Sequence, residues 1–353
     1  MTAHDPDALH GPWHIGWPED RPPFVALIDP SSSDYPEAQT LLTHARASYV
    51  LEARPSIAEA TAVVELLVES DVRRLVSIGA GLVIDTGKLA AYYHRERTNE
   101  LLEHCAVPCG PELYRAVTPF SMYEGTPGTR DAVWEDWLRP NEVALAPELL
   151  SRMDSETVQL FAGDSLVHVI ESLLSKLGTS KSKAYALAAA QTFATAADVS
   201  APDRVALAVA SMNAARAFDI TKLGLAHALS RPLGIAAGTS HDAFNLMLGA
   251  AVISFWGSTV IADSPLRLIA SVDPTVSAWS RLVDGYRQRA GLPAALSAAG
   301  ITPKDVDAAL AWAPNSSGIP NLPHPVEAGD LERIIEAAWE GRAVSRSDKI
   351  VST

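Results

Sequence analysis

Four side chains in the second half of the sequence have the chemistry and spacing of a metal site. Asp164 and His168 are four residues apart in an apolar helical stretch, so their side chains project from one face, one turn from each other. His227 and His241 flank a predicted turn between two apolar helices. Three imidazoles and one carboxylate suit Fe(II) or Zn(II) and leave positions open for a substrate oxygen.

Each part of this set also has an ordinary structural interpretation. Asp164 could favour the dipole of a helix N-terminus, with an unrelated His168 one turn later. The pattern predicts that His227 ends an apolar helix, which Pro232 breaks, and that His241 starts the next helix. A lone histidine on such a face is more often a hydrogen-bonded core residue. Two histidines flanking one helical hairpin, in a chain that also offers the Asp-His pair, favour a site with four ligands.

A second candidate site is a glycine-rich turn within Ser77–Lys88, between a predicted strand and a predicted helix. Glycines there let the backbone approach a phosphate, and the helix N-terminus offers unpaired N–H groups to an anion. Many tight turns with two glycines bind nothing, so this run alone is weak evidence. Asp29 ends the first predicted strand. It could accept a hydrogen bond from an adenosine ribose, or it could only initiate the turn before Pro30.

The first half of the chain alternates predicted strands and helices. Phe24–Ile28 and Arg74–Ile78 are short apolar runs typical of buried strands. Tyr35–Tyr49 and Ile57–Glu69 have apolar residues at helical spacing. This alternation predicts parallel βαβ units and a doubly wound parallel sheet.

The character of the sequence changes from about Pro147, where strand-like runs give way to alanine-rich helical stretches. We therefore expect two domains. Residues 1–146 form an α/β domain of the dinucleotide-binding type, and residues 147–353 form an all-helical domain that carries the metal. The linker is expected near Leu138–Asn141.

Composition limits the class of protein. The chain has 353 residues and a net charge of −14, which disfavours nucleic acid and anionic membranes as partners. Its only cysteines are Cys105 and Cys109, too few for a secreted disulfide scaffold, and a zinc site there would need ligands beyond His104. No window has the roughly 18 consecutive apolar residues of a membrane span, and Met1–Asp20 lacks the apolar core of a signal peptide. We expect a soluble, cytoplasmic enzyme that acts on a small molecule.

The same segments, in this order and spacing, resemble the iron-containing alcohol dehydrogenase family, related to dehydroquinate synthase, from about Phe24 to Gly341. Ala162–Glu171 is similar to the family's Ala-Gly-Asp-Ala-Leu-x-His-x-x-Glu helix. Leu223–His241 is similar to its Leu-Gly-Leu-x-His-Ala-Leu-x-His-Pro-Leu-Gly segment, which ends on the last histidine ligand. Gly79–Lys88 resembles its Gly-Gly-Gly-Ser turn followed by Asp and Lys, and Asn321–Val326 resembles its Asn-Pro-Arg-Pro motif.

The resemblance implies a dehydroquinate synthase-like fold with the active site between the two domains, and we expect a homodimer. It implies that a metal ion polarises an aldehyde or ketone oxygen while a nicotinamide delivers hydride, or that the reverse reaction oxidises an alcohol. An acid at position 29 would repel a 2′-phosphate, which favours NAD(H) over NADP(H). Fe(II) is favoured over Zn(II). The implied metal ligands are Asp164, His168, His227 and His241, and the implied cofactor contacts are Asp29, Gly79, Gly81, Asp85, Lys88 and Thr118.

Three departures from the family pattern bear on the reaction. The turn reads Gly-Ala-Gly-Leu, and Cys109–Ala116 replaces the family's Thr-Thr-x-Gly-Thr-Gly-Ser-Glu stretch beside the nicotinamide. Arg231 stands where the family has a second histidine, and Asp242 where it has a glycine. Arg231 could bind a substrate anion through its planar fork, or it could pair with Asp242. The leading hypothesis is a nicotinamide-dependent oxidoreductase for a small, anionic carbonyl compound. The alternatives are a metal-dependent lyase, cyclase or hydrolase that has lost the nicotinamide, and a non-catalytic protein.

Overall fold

The structure is a computed structural model of a chain that divides into two units, residues 1–153 and 154–353. The division falls after the short helix Pro147–Leu150, later than the expected boundary at residue 146. The residues that the structure describes are 13–18, 23–52, 54–110, 112–126, 131–197, 199, 201–237, 241–269 and 271–342.

The first unit contains the predicted parallel sheet. Its strands are β1 (Trp13–Ile15), β2 (Val25–Ile28), β3 (Ala47–Val50), β4 (Arg74–Gly79), β5 (Glu103–Pro108), β6 (Phe120–Tyr123), β7 (Asp131–Trp134) and β8 (Glu142–Leu145). Six of them pair in parallel in the order β1-β8-β5-β4-β2-β3, while β6 and β7 form a separate antiparallel pair. β2 and β4 are buried along their whole length, as expected for inner strands of a parallel sheet covered on both faces.

Five helices accompany this sheet: α1 (Pro30–Ser33), α2 (Pro36–His44), α3 (Ile57–Glu69), α4 (Gly81–Thr98) and α5 (Pro147–Leu150). α3 has the predicted bounds, and its first N–H groups are capped by the Ser56 hydroxyl, which accepts from the backbone of Glu59. The predicted helix over Tyr35–Tyr49 is wrong in its second half, because α2 ends at His44. β3 follows, pairs with β2, and shows the alternating exposure of an edge strand.

Every regular element in the described part of the second unit is helical, as the sequence predicts. The α-helices are α6 (Ser155–Leu174), α7 (Ser180–Ala196), α8 (Arg204–Thr221), α9 (Leu225–Ala237), α10 (His241–Asp263), α11 (Val276–Arg289), α12 (Pro303–Trp312) and α13 (Ala328–Glu340). α6 is buried over most of its length and packs against α7, α8, α10 and α11. The residues of α6 are therefore fixed from several sides.

The expected linker at Leu138–Asn141 is instead an integral part of the first unit. Asn141 accepts a hydrogen bond from the backbone N–H of His104 through its side-chain oxygen, and its own N–H donates to the His104 carbonyl. The chain then enters β8, which pairs with β1 and β5. Among the described helices of both units, none combines the length and the apolar character needed to cross a membrane.

Candidate functional site

One face of α6 carries three chemically active side chains. Asp164, His168 and Glu171 follow one another at intervals of four and three residues, so they form a single stripe along the helix. All three side chains are buried. The helix that holds them is capped at its start by Asp154, whose carboxylate accepts from the backbone of Thr157 at 2.7 Å.

His227 lies in the first turn of α9, so the prediction that it ends an apolar helix is wrong. The chain direction changes earlier, at Lys222, whose φ of 58° ends α8 at Thr221. Pro232 does not break α9, which continues to Ala237 with the proline inside it. Lysine rarely takes positive φ, which explains why the sequence does not indicate this break.

The structure brings three of the four predicted ligands together. Asp164, His168 and His227 each offer a donor atom, and these atoms lie within 4.8 Å of one another. His227 Nε2 is 3.8 Å from Asp164 Oδ1, and His168 Nδ1 is 3.6 Å from Asp164 Oδ2. The two imidazole rings stack with their centroids 4.5 Å apart.

His241 lies beside this group but outside the 4.8 Å set. It is the first residue of α10, as predicted, and its ring centroid is 5.8 Å from that of His227. Its Nδ1 lies 3.4 Å from Asp242 Oδ1. The fourth ligand therefore stays a prediction.

Among the described residues, two further buried side chains contact the cluster, and neither was predicted as a site residue. Glu171 Oε2 is 2.7 Å from His227 Nδ1. The side-chain nitrogen of Asn245 is 2.6 Å from Asp164 Oδ1 and 2.8 Å from His227 Nε2. The available signals were helical spacing, because Glu171 is three residues after His168 and Asn245 is four residues after His241.

Burial makes neutral imidazoles the stable form in this cluster. It lowers the pKa of His168 well below its usual value, and the charges of His227, His241 and Arg231 act in the same direction. The pKa of His227 is lowered in the same way, by burial first and then by Arg231. Burial raises the pKa of Glu171 to about 7, against the opposing effect of the backbone N–H groups that it accepts from and of Arg231.

The donor set fits a divalent transition metal. One carboxylate and two neutral imidazoles are ligands that Fe(II) and Zn(II) accept, and a ligand must be deprotonated to bind. The low pKa values of His168 and His227 keep both rings in that form. The three residues that form the group could therefore hold such an ion.

In the first unit, the glycine-rich turn joins β4 to α4 as predicted. Asp29 lies against this turn and accepts a hydrogen bond from the backbone N–H of Ala80 at 3.1 Å. Its other carboxylate oxygen accepts from the backbone N–H of Ser32 and the hydroxyl of Ser31, both at 2.7 Å. Asp29 thus caps α1 in the manner of a turn-initiating aspartate, and its contact with a ribose stays a prediction.

Glu112 and Arg115 lie against Gly81, the first residue of α4. A Cβ placed on Gly81 would lie 2.5 Å from Glu112 Oε2 and 2.6 Å from Arg115 Cδ, so the glycine is needed for their close approach. The two side chains form an ion pair with Arg115 Nη2 and Glu112 Oε1 2.9 Å apart. Glu112 and Arg115 therefore lie against Gly81, in the turn where a phosphate contact was predicted.

The other predicted cofactor contacts are buried in internal interactions. Asp85 pairs with Arg115 and accepts from the backbone N–H of Met122 at 3.1 Å. Burial raises the pKa of Asp85, against the positive charges of Arg115 and Lys88. Lys88 donates to the carbonyl of Phe120 at 2.8 Å, and Thr118 is fully buried. The predicted strand, turn and helix are present, and the predicted cofactor contacts of this unit interact with other residues of the chain.

Comparison with protein families gives a match to the C-terminal part of the Fe-containing alcohol dehydrogenase family, over residues 162–339. This span is half of the chain and includes Asp164, His168, His227 and His241. The chain belongs to the Fe-containing alcohol dehydrogenase family. Membership supports a general oxidoreductase that uses a metal. No curated protein matches the sequence significantly.

Several solved structures share the fold. The iron-containing alcohol dehydrogenase from Thermococcus thioreducens superposes with a TM-score of 0.76 at 20% identity, covering 90% of this chain and 93% of that one. The sulfoacetaldehyde reductase from Bifidobacterium kashiwanohense, in complex with NAD+, gives a TM-score of 0.76 at 21% identity, covering 90% and 91%. The maleylacetate reductase from Agrobacterium tumefaciens gives 0.75 at 17% identity, covering 91% and 90%.

Proposed function

We propose that this member of the Fe-containing alcohol dehydrogenase family is a metal-dependent oxidoreductase. It interconverts a small aldehyde or ketone and the corresponding alcohol with a nicotinamide cofactor, and it uses NAD(H) in preference to NADP(H). The buried group of Asp164, His168 and His227, in the part of the chain that matches the family, carries this proposal. The homodimer remains a prediction.

The residues proposed to hold the ion are the three members of the group together with His241, and Fe(II) is favoured over Zn(II). An ion bound there would supply a Lewis acid for a carbonyl oxygen. The chain supports this role by keeping its imidazoles neutral and buried. Burial also strengthens every electrostatic interaction with a bound substrate, because the surroundings screen charge less than water does.

We also propose that Arg231 binds an anionic group of the substrate. α9 continues through this residue, so Arg231 lies one turn after His227 on the same face of the helix. The half-buried guanidinium is close enough to lower the pKa values of His168 and His227. A cation near a metal centre is favourable when an anion lies beside both, and a carboxylate, phosphate or phosphonate could accept its paired N–H groups.

A second candidate function is a metal-dependent lyase or cyclase on the same scaffold that does not use a nicotinamide. The observation that favours it is the filled turn, because Glu112 and Arg115 lie over Gly81 where the family places phosphate. This function would need the metal centre of the second unit but no pyrophosphate at the turn of the first.

Titration of the metal-loaded protein with NADH and NADPH, followed by nicotinamide fluorescence, separates the two functions. The oxidoreductase proposal expects saturable NADH binding that is tighter than NADPH binding, because the Asp29 carboxylate repels a 2′-phosphate. If neither nucleotide binds at millimolar concentration, the lyase or cyclase is favoured. Tighter binding of NADPH would contradict the assigned role of Asp29.

A further inference from the structure

Glu171 accepts several hydrogen bonds beside the proposed metal centre. Its oxygens accept from the backbone N–H groups of Gly224 at 2.7 Å and Ala226 at 2.6 Å, at the start of α9. The same side chain lies 2.7 Å from Nδ1 of His227. A Cβ on Gly224 would lie 2.9 Å from Glu171 Cδ, so the absence of a side chain there permits this approach. One carboxylate of α6 therefore holds both the beginning of α9 and its metal-site histidine.

These contacts favour one nitrogen of His227 as the proton carrier. Backbone N–H groups donate to both oxygens of Glu171, so the side chain serves as a hydrogen-bond acceptor at the start of α9, and its contact with His227 Nδ1 is the one that an Nδ1–H donor makes. The contact at the other ring nitrogen, Nε2, favours the same tautomer. The Asn245 amide nitrogen that donates to Asp164 Oδ1 also lies 2.8 Å from His227 Nε2, so Nε2 accepts.

We propose that Glu171 is a positioning residue of the metal centre, which fixes His227 as the Nδ1–H tautomer and leaves Nε2 as the nitrogen that binds the ion. This inference rests on the proposed metal site. Glu171 is not itself proposed as a ligand, because its oxygens are used by the backbone of α9 and by His227 Nδ1. A buried carboxylate that accepts from a metal-ligand histidine orients the ring and strengthens the ligand.

Glu171→Gln separates this role from simple capping of α9. The amide oxygen of glutamine can still accept from the backbone N–H of Ala226, so the start of α9 keeps one of its two carboxylate contacts. The amide NH2 cannot accept from Nδ1–H and instead donates to Nδ1, which favours the Nε2–H tautomer and removes the lone pair that an ion needs. Glu156→Gln is the matched control, since Glu156 is exposed on the first turn of the same helix.

The experiment measures Zn(II) affinity and the His227 tautomer in the full-length protein. Metal-stripped wild type, Glu171→Gln and Glu156→Gln are titrated with Zn(II) against a competing chelator, and the imidazole nitrogens are observed by 15N NMR. We expect a ten- to hundredfold loss of Zn(II) affinity in Glu171→Gln and a change of His227 from Nδ1–H to Nε2–H. Glu156→Gln should match the wild type in both measurements.

Wild-type affinity in Glu171→Gln, or a His227 that keeps Nδ1–H, would overturn the proposal. Glu171→Asp provides a second test, because it keeps a carboxylate that is one methylene shorter. It should bind Zn(II) more tightly than Glu171→Gln and retain Nδ1–H, and equal affinity of the two variants would also overturn the proposal. If the wild type itself does not bind Zn(II) while the tautomer still changes in the glutamine variant, the metal site fails and the control of the tautomer stands.

Discussion

At the metal centre, Asp164, His168 and His227 bring their donor atoms within 4.8 Å of one another, whereas at the glycine turn Glu112 and Arg115 lie over Gly81. Both regions keep residues that resemble the family pattern. In the second unit, the side chains around those residues support them, as Glu171 does for His227. In the first unit, the neighbouring Glu112 and Arg115 side chains lie against the glycine of the turn.

The difference reflects what each kind of site requires. A metal site consists of side-chain donors, so keeping the residue types at their helical positions keeps most of the site. A phosphate turn consists of backbone N–H groups and free space, and the role of glycine is only that its missing side chain lets another group approach closely. Two side chains from a replaced segment can therefore close such a turn without any change in the glycines themselves.

Among the substitutions that test the contrast between the two regions, Glu112→Gln should have the largest effect, which is on NADH affinity. The substitution removes a negative charge beside the turn and weakens the contacts of Arg115 Nε and Nη2 with residue 112, so these donors become available to a pyrophosphate while Asp85 still pairs with Nη1. We expect NADH to bind ten- to hundredfold more tightly, which corresponds to the removal of about 1.4 to 2.8 kcal/mol of repulsion. Nicotinamide fluorescence measures the affinity.

Glu65→Gln, on the exposed side of α3, is the control for the loss of one charge and should bind NADH like the wild type. Unchanged or weaker NADH binding in Glu112→Gln would show that the filled turn does not limit the cofactor. The two regions would then differ in structure, but the difference would not affect NADH binding.

A smaller effect is expected from Arg231→Lys at the metal centre. Lysine keeps the positive charge but loses the two parallel N–H donors that suit a carboxylate or phosphate. The KM for an acidic carbonyl substrate should rise about tenfold, which is the loss of one charge-assisted hydrogen bond of ~1.5 kcal/mol. Steady-state kinetics with a neutral aldehyde of similar size provides the control and should show no change. An equal response of both substrates would remove the anion-binding role.

The smallest effect concerns the framework beneath the turn, where His104 on β5 lies 2.9 Å from the Ser77 hydroxyl on β4. Burial, together with the charge of Lys88, lowers the pKa of His104 to about 3. The His104 imidazole therefore takes up a proton near pH 6.5 in the unfolded chain but stays neutral in the folded chain. The folded state keeps its full stability above pH 6.5 and loses it as the pH falls towards 3.

His104→Gln should lower this pH dependence. Between pH 7 and pH 6, we expect the wild type to lose up to roughly 1 kcal/mol more of its free energy of unfolding than the variant does, as measured by urea titration. His44→Gln, at an exposed position of α2, should retain the wild-type dependence. Parallel curves for wild type and His104→Gln would mean that His104 is not kept neutral by the fold.

Local patterns were sufficient to predict several parts of the molecule. The helix at Ile57–Glu69, the strand and turn before α4, and the shared face of Asp164 and His168 all depend on residues close in sequence. The strand β3 was missed because its four residues follow a helix without a break that the sequence marks, and pairing with β2 decides their conformation.

The remaining features depend on contacts between distant segments. His227 lies at the start of α9 because Lys222 has a positive φ, a conformation that a lysine in the sequence does not predict. Glu171 meets His227 across 56 residues of sequence, and no spacing rule connects them. The filling of the turn by Glu112 likewise requires the backbone path of the segment that follows β5, which departs from the family pattern.

The most direct test of the account is the metal content of the purified protein. Elemental analysis of anaerobically prepared wild type should give one divalent ion per chain. His227→Ala should lose it, since His227 is a proposed ligand in contact with Glu171, while His324→Ala, at an exposed position of the second unit, should retain it. A wild type without metal, or stoichiometric metal in His227→Ala, would contradict the account.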